Sequence, residues 1–253
     1  LSLAYHFIYF ADFAALLASL FGLRALLARL PDISRSVADL MPVGFCVLLP
    51  IVFLCGGQLY DFLELFAEVA IPLLAISRRH LWLIAFVPLA ACNKETVILT
   101  TLAIAPLTVS RWGIRRTWIL ALSAALASGV VIAIHLHYRT RPGEPFEEHL
   151  RENIGYWLRL DSYRQFTSIL APGVPFPKPQ NLLLLAPLTA MLTWAYRHAA
   201  PRDERRWLTL AAALDLPLFV VLGYRDEIRA LSLLFVPLAT FCARFFSNEE
   251  PAR

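Results

Sequence analysis

Three short polar stretches of this chain carry the residue types that chemistry needs. Asp61, Glu64 and Glu68 fall at i, i+3 and i+7, which sets three carboxyls on one face of a helix. Such a face can bind a divalent cation or serve acid–base chemistry. Capping explains part of it, with Asp61 as N-cap and Glu64 as its capping-box partner. Glu68 lies one turn deeper, where only a polar cavity or an interhelical salt bridge accounts for it. The second stretch, Asn93-Lys94-Glu95-Thr96, interrupts an apolar run from Leu81 to Val109. Lys94 and Glu95 are either interface residues that snorkel to water or a working pair, and Glu95 is also placed to cap the next helix. The third is Tyr224-Arg225-Asp226-Glu227-Ile228-Arg229, an ordinary charged loop or a binding turn. Arg229 opens an apolar helix, where a guanidinium suits bidentate phosphate or carboxylate binding, or a structural pair with Glu95 or Asp61.

Other polar residues carry weaker signals. Asp12 and Asp215 lie inside apolar segments and are expected to be paired internally rather than catalytic. His135 and His137 are two apart and diverge on a helix, so they form no metal site by themselves. Gly56-Gly57 marks a turn or close packing. Cys46, Cys55, Cys92 and Cys242 lie in or beside apolar segments without disulfide or zinc spacing, and read as packing residues.

The elements that position these stretches are membrane helices. Hydrophobic residues make up 58% of the chain and charged residues 17%, against roughly 25% charge in soluble domains. The apolar runs are long, not the alternating segments of a barrel. The expected fold is therefore all-α, a polytopic bundle of eight or nine membrane segments forming a single domain over residues 1–253. The segments are 4–23, 41–57, 61–77, 81–93, 96–110, 117–137, 181–197, 207–223 and 228–246. The 81–93 and 96–110 pair is short enough to be re-entrant. The chain begins at Leu1, inside an apolar run, so an upstream helix and loop are expected to precede it. No signal peptide is visible, and the net charge of +4 sits in short clusters between apolar runs, which does not suggest nucleic acid.

Arginine placement orients the bundle. One set of alternate short loops holds Arg24, Arg29, Arg35, Arg78, Arg79, Arg111, Arg115, Arg116, Arg197, Arg202, Arg205 and Arg206. The other holds only Lys94, Arg225 and Arg229. The first set is expected to be cytoplasmic. All three polar stretches and the long loop 138–180 then share the exoplasmic face. Within that loop, 146–158 has Phe146, Leu150, Ile154, Trp157 and Leu158 at helical spacing, an amphipathic helix expected to lie at the membrane surface. A proline-rich connector follows at 171–179.

Three of these elements in this order resemble the GT-C class of polytopic bacterial glycosyltransferases. They are Tyr60-Asp61 opening a short helix, Asn93-Lys94-Glu95-Thr96 between two short helices, and Glu227-Ile228-Arg229 opening a late one, together spanning roughly residues 55–240. The resemblance implies a protein of the bacterial inner membrane that takes a sugar from a polyprenyl-phosphate donor on the exoplasmic side. It also implies that some members use a divalent cation. Lys94, Arg225 and Arg229 would contact the lipid phosphate. Asp61, Glu95, Asp226 and Glu227 are the carboxylate candidates, with Glu95 and Asp61 orienting Arg229 or holding a metal, and Tyr60, Asn93 and Tyr224 supporting. The carboxylate that usually serves as base lies in the first exoplasmic loop, which here would precede Leu1. The alternative is a non-catalytic subunit, its charged turns serving as internal salt bridges or contacts to partner membrane subunits. A transporter fits less well, because the charges gather at one face rather than at the midplane.

Overall fold

The computed structural model describes residues 3–52, 61–139, 148–168, 173–225 and 227–249. It is all-α, with 81% of the described residues helical. The only strand pairing among the described residues joins β1 (Phe166–Thr167) to β2 (Phe176–Pro177). Eleven α-helices are described: α1 Leu3–Leu27, α2 Arg35–Val52, α3 Asp61–Ile76, α4 His80–Ala91, α5 Thr96–Ala103, α6 Ala105–Trp112, α7 Trp118–Tyr138, α8 Leu150–Trp157, α9 Leu182–His198, α10 Arg202–Leu222 and α11 Ser232–Glu249. Among the described residues, three stretches, Tyr5–Leu27, Ile114–Tyr138 and Ile228–Asn248, are long and apolar enough to cross a membrane.

The outer surface fits that setting. Phe7, Phe10 and Phe21 of α1 are each about 70% exposed, a cost in water that lipid removes. Trp82 and Trp118 are also exposed, near the N-terminal ends of α4 and α7, where indole rings suit the headgroup layer.

α3 is the central helix and packs on α1, α4, α5, α6 and α11. Its close approach to α1 needs Gly22, where an added Cβ would meet Val69 Cγ1 at 2.8 Å. Small residues at such crossings let membrane helices approach closely. The core includes Leu23, Leu26, Ile71, Leu83, Val87, Ile104, Leu107 and Trp207.

The run expected as one segment over 96–110 is two eight-residue helices, α5 and α6, meeting at Ile104. Pro106 occupies the first turn of α6, where a missing N–H costs least and the fixed φ starts a new helix.

Hydrogen bonds stitch the arginine-bearing loops into one end of the bundle. Arg78 Nη2 donates to the Arg111 carbonyl at 2.7 Å, Ser110 Oγ to Asp203 at 2.7 Å and Trp112 Nε1 to the Ala75 carbonyl at 2.9 Å. Arg244 of α11, buried, gives Glu204 two hydrogen bonds at 3.0 and 2.6 Å and a third to the Pro31 carbonyl, closing the α1–α2 turn against α10. The alternate loops counted in the sequence therefore do share an end.

The long loop is more than a surface helix. Its helix starts at Leu150 rather than 146; Phe146 and Glu147 lie outside the described residues. Asn153 is fully buried. Its Nδ2 donates to the carbonyls of Phe219, Val220 and Gly223 at 3.3, 2.9 and 2.6 Å. The Phe219 carbonyl also accepts from the Gly223 N–H at 2.9 Å, and the amide adds donors for Val220 and Gly223, closing the C-terminus of α10. Trp157 packs edge-on to Phe219. Ile154, Leu158 and Leu160 remain exposed, so the docked α8 keeps an apolar side for lipid. Within the connector, Phe176–Pro177 is extended and pairs with Phe166–Thr167.

Candidate functional site

The three polar stretches meet on one face of α3. The helical spacing read from the sequence holds, and Asp61, Glu64 and Glu68 all point inward, each 5% exposed or less. Buried carboxylates need donors, and each finds one on a different element.

Asp61 Oδ2 accepts from Arg229 Nη1 at 2.9 Å. The same guanidinium donates Nε to Glu227 Oε1 at 2.5 Å, and its Nη2 reaches the same oxygen. Arg229 sits in a single 3-10 turn, Ile228–Leu231, that leads into α11. Its planar fork thus bridges two carboxylates from distant parts of the chain, a task a lysine performs poorly. Of the two structural partners open to it, Asp61 is the one observed.

Glu64 is the hub of the cluster. Lys94 Nζ donates to its Oε2 at 2.5 Å, while Thr96 Oγ1 and Ser232 Oγ donate to its Oε1 at 2.9 and 2.6 Å. Glu64 thus makes bonds to three elements, the 93–96 turn, α5 and α11. Lys94 is about a quarter exposed, so the tetrad opens outward while anchoring inward. One turn deeper, Glu68 Oε1 accepts from Thr100 Oγ1 of α5 at 2.5 Å. The interhelical partner required for Glu68 is a hydroxyl rather than a cation.

Glu95 behaves differently. It precedes α5 but makes no side-chain cap, and it is exposed. It neither orients Arg229 nor caps the helix, because the tetrad turns Lys94 and Thr96 toward Glu64 and leaves the residue between them pointing away. Asn93 is half-buried beside Lys94. Tyr224 and Arg225 are exposed. Arg225 lies over the rings of Tyr224 and Tyr156 at 5.5 and 5.9 Å, and Tyr224 packs edge-on to His149. The α8 platform thus backs the third polar stretch. Tyr60 and Asp226 lie outside the described residues.

Asp12 and Asp215 depart from the expectation of internal pairing. Each is buried, with one carboxylate oxygen lacking any hydrogen-bond partner, and neither joins an ion pair among the described residues. Asp12 lies within Coulombic reach of Asp61, and Asp215 within reach of Glu64 and Lys94. Both extend the acidic face of α3 onto neighbouring helices.

Sequence reasoning missed the hydroxyls. Thr96, Thr100 and Ser232 satisfy Glu64 and Glu68, and Thr96 and Thr100 are spaced i, i+4 on α5. That polar stripe in an apolar helix was the available signal.

A divalent cation does not fit this set. Asp61 and Glu64, the carboxylates nearest Lys94 and Arg229, already spend their oxygens on those cations and on two hydroxyls. No group of three or more metal-ligating side chains occurs among the described residues. No family model, curated protein or solved structure matches the chain.

Proposed function

We propose that the chain is a GT-C-like polytopic protein of a bacterial inner membrane that receives a polyprenyl-phosphate-linked sugar at the exoplasmic end of its bundle. One observation supports this reading above the rest: residues 61, 94 and 229, far apart in sequence, converge on one face of α3. The resemblance rests on the same three stretches.

In this reading the carboxylates position the cations. Asp61 and Glu227 fix the guanidinium plane of Arg229, and Glu64 fixes Lys94. A lipid phosphate then adds to cations whose side-chain entropy is already lost, which favours binding. Arg225, stacked on two tyrosines and exposed, is the third phosphate contact. Glu95 is the accessible carboxylate of the tetrad and the candidate to accept an acceptor's proton.

The test is binding of a polyprenyl phosphate to protein in lipid nanodiscs, followed by native mass spectrometry. R225A and R229A are each expected to weaken binding about tenfold, the loss of one charge-assisted hydrogen bond. Unchanged binding in both variants sinks the phosphate role.

A second reading has its own observation in favour. Lys94 and Arg229 are already neutralised by carboxylates, as in a structural lock. The chain would then be a non-catalytic subunit. Copurification with other membrane chains at fixed stoichiometry, with no phosphate binding, would establish it.

A further inference from the structure

We propose that the outer face of α9, at the arginine-rich end of the bundle, binds an anionic phospholipid, with the headgroup on Arg197 and one acyl chain along the helix.

The face is open. α9 packs chiefly on α11, and of its described residues only Ala195 is buried. Leu185, Ala186, Thr189, Ala190 and Thr193 follow one another at three- and four-residue steps, so they share one side of the helix. They line a groove of about 690 Å³ that ends at Arg197 and His198. Ala186 and Ala190 give it depth, because larger side chains there would fill it. From Leu182 to Arg197 the axial rise is roughly 22 Å, longer than the ~15 Å of half a hydrocarbon core. That length holds one acyl chain together with its headgroup. Trp194 borders the groove, packed edge-on to Phe245 at 5.2 Å. Its indole suits the headgroup layer.

Charge decides the occupant. Arg197 is exposed, and Arg202, Arg205 and Arg206 follow within nine residues across the turn into α10. None of the four joins an ion pair among the described residues. The two carboxylates of that turn are engaged elsewhere, Asp203 by Ser110 and Glu204 by Arg244. Arg205 lies over the ring of Tyr196 on α9, at 5.8 Å. A basic cluster beside an apolar groove suits a lipid phosphate. A second copy of the chain suits it poorly. Two copies oriented alike in one membrane would pack α9 on α9 in parallel and set their Arg197 side chains together. A second groove, on α10 from Ala212 to Val221, has a wholly apolar lining and offers no such anchor.

The hydroxyls point the same way. Thr101 and Thr240 bond the carbonyl one turn back, at 2.8 and 2.9 Å, as hydroxyls in apolar helices do. Thr189 and Thr193 bond nothing among the described residues, though both line the groove. Thr193 lies one turn below Arg197, at the depth where the ester carbonyls of a glycerophospholipid hang beneath its phosphate. Its O–H is a donor for them.

Native mass spectrometry of the full chain tests the site, with phosphatidylglycerol or phosphatidylcholine of identical acyl chains added in detergent. The parent chain is expected to retain phosphatidylglycerol in preference. R197Q should weaken that retention about fivefold, the share of one arginine at an anionic surface, and leave phosphatidylcholine unchanged. A190L should lower retention of both lipids, because it fills the groove. Both variants should still bind polyprenyl phosphate, whose proposed site lies at the other end, so the two proposals fail separately. Equal retention of the two lipids, or phosphatidylglycerol retention in R197Q or A190L that matches the parent, overturns the proposal. Displacement of the lipid by inorganic phosphate also overturns it, since the site would then take a bare anion. So does a dimer mass that A190L abolishes, which would make the groove an interface between copies.

Discussion

Asn153 and Val220 meet through a single hydrogen bond of 2.9 Å that ties the long loop to the end of α10. The same amide serves Phe219 and Gly223. A surface helix is thereby turned into a structural cap.

Replacing Asn153 with alanine strands the Val220 and Gly223 carbonyls in a partly buried setting, while Phe219 keeps the Gly223 N–H. The expected cost is about 1–3 kcal/mol, the penalty for unsatisfied buried polar groups. Thermal unfolding in detergent reads the loss. Limited proteolysis should cut between 148 and 168 sooner than in the parent chain. An N153A protein that melts and digests like the parent refutes the cap.

The Glu64–Lys94 pair predicts a double-mutant cycle. K94M leaves Glu64 with hydroxyl donors alone, and the loss is about 3 kcal/mol, the low end for a broken buried pair because Lys94 is partly exposed. E64Q/K94M removes both charges and should recover most of that loss. Additive single effects would show that the two residues do not interact.

Gly22 predicts a steric outcome. G22L drives a side chain into Val69 Cγ1, already 2.8 Å from where a Cβ would stand. Overpacking costs about 1–3 kcal/mol. V69A should relieve part of it in the double variant. Equal stability of G22L and the parent would mean that α1 and α3 do not pack as described.

Glu204 predicts a pH dependence at the arginine-rich end, ahead of the apolar stretch 207–223. Burial pushes its carboxyl above the usual glutamate range, and Arg244 opposes that only in part. The folded chain therefore holds this proton more tightly than the unfolded chain. Stability should fall as pH rises from the ordinary glutamate value through the raised one. E204Q removes that slope while lowering stability overall, because Arg244 loses its carboxylate. Melting temperatures across mildly acidic to neutral buffers report both effects.

Particular residues show what could be read from the chain. The face formed by Asp61, Glu64 and Glu68 was legible because helical spacing alone places i, i+3 and i+7 together. The common end of the arginine loops was legible because charge is costly in lipid and gathers outside it. The partner of Glu64 was not. Nothing local in residues 93–96 says that Lys94 turns inward and Glu95 outward; tertiary packing decides it. The break at Ile104 escaped because no charged residue interrupts Thr96–Val109, and Pro106 is as compatible with a kink as with a fresh start. The role of Asn153 was not legible because its acceptors lie on another helix, 66 to 70 positions away.

That break at Ile104 has a mechanical consequence. α5 carries Thr96 and Thr100, the hydroxyls that hold Glu64 and Glu68. α6 carries Ser110 and Arg111, which are fastened to the opposite end of the bundle. A continuous helix would be a rod, and any shift at the carboxylates would push on the arginine loops. Two eight-residue pieces form a joint instead. The acidic end can resettle while the far end keeps its footing.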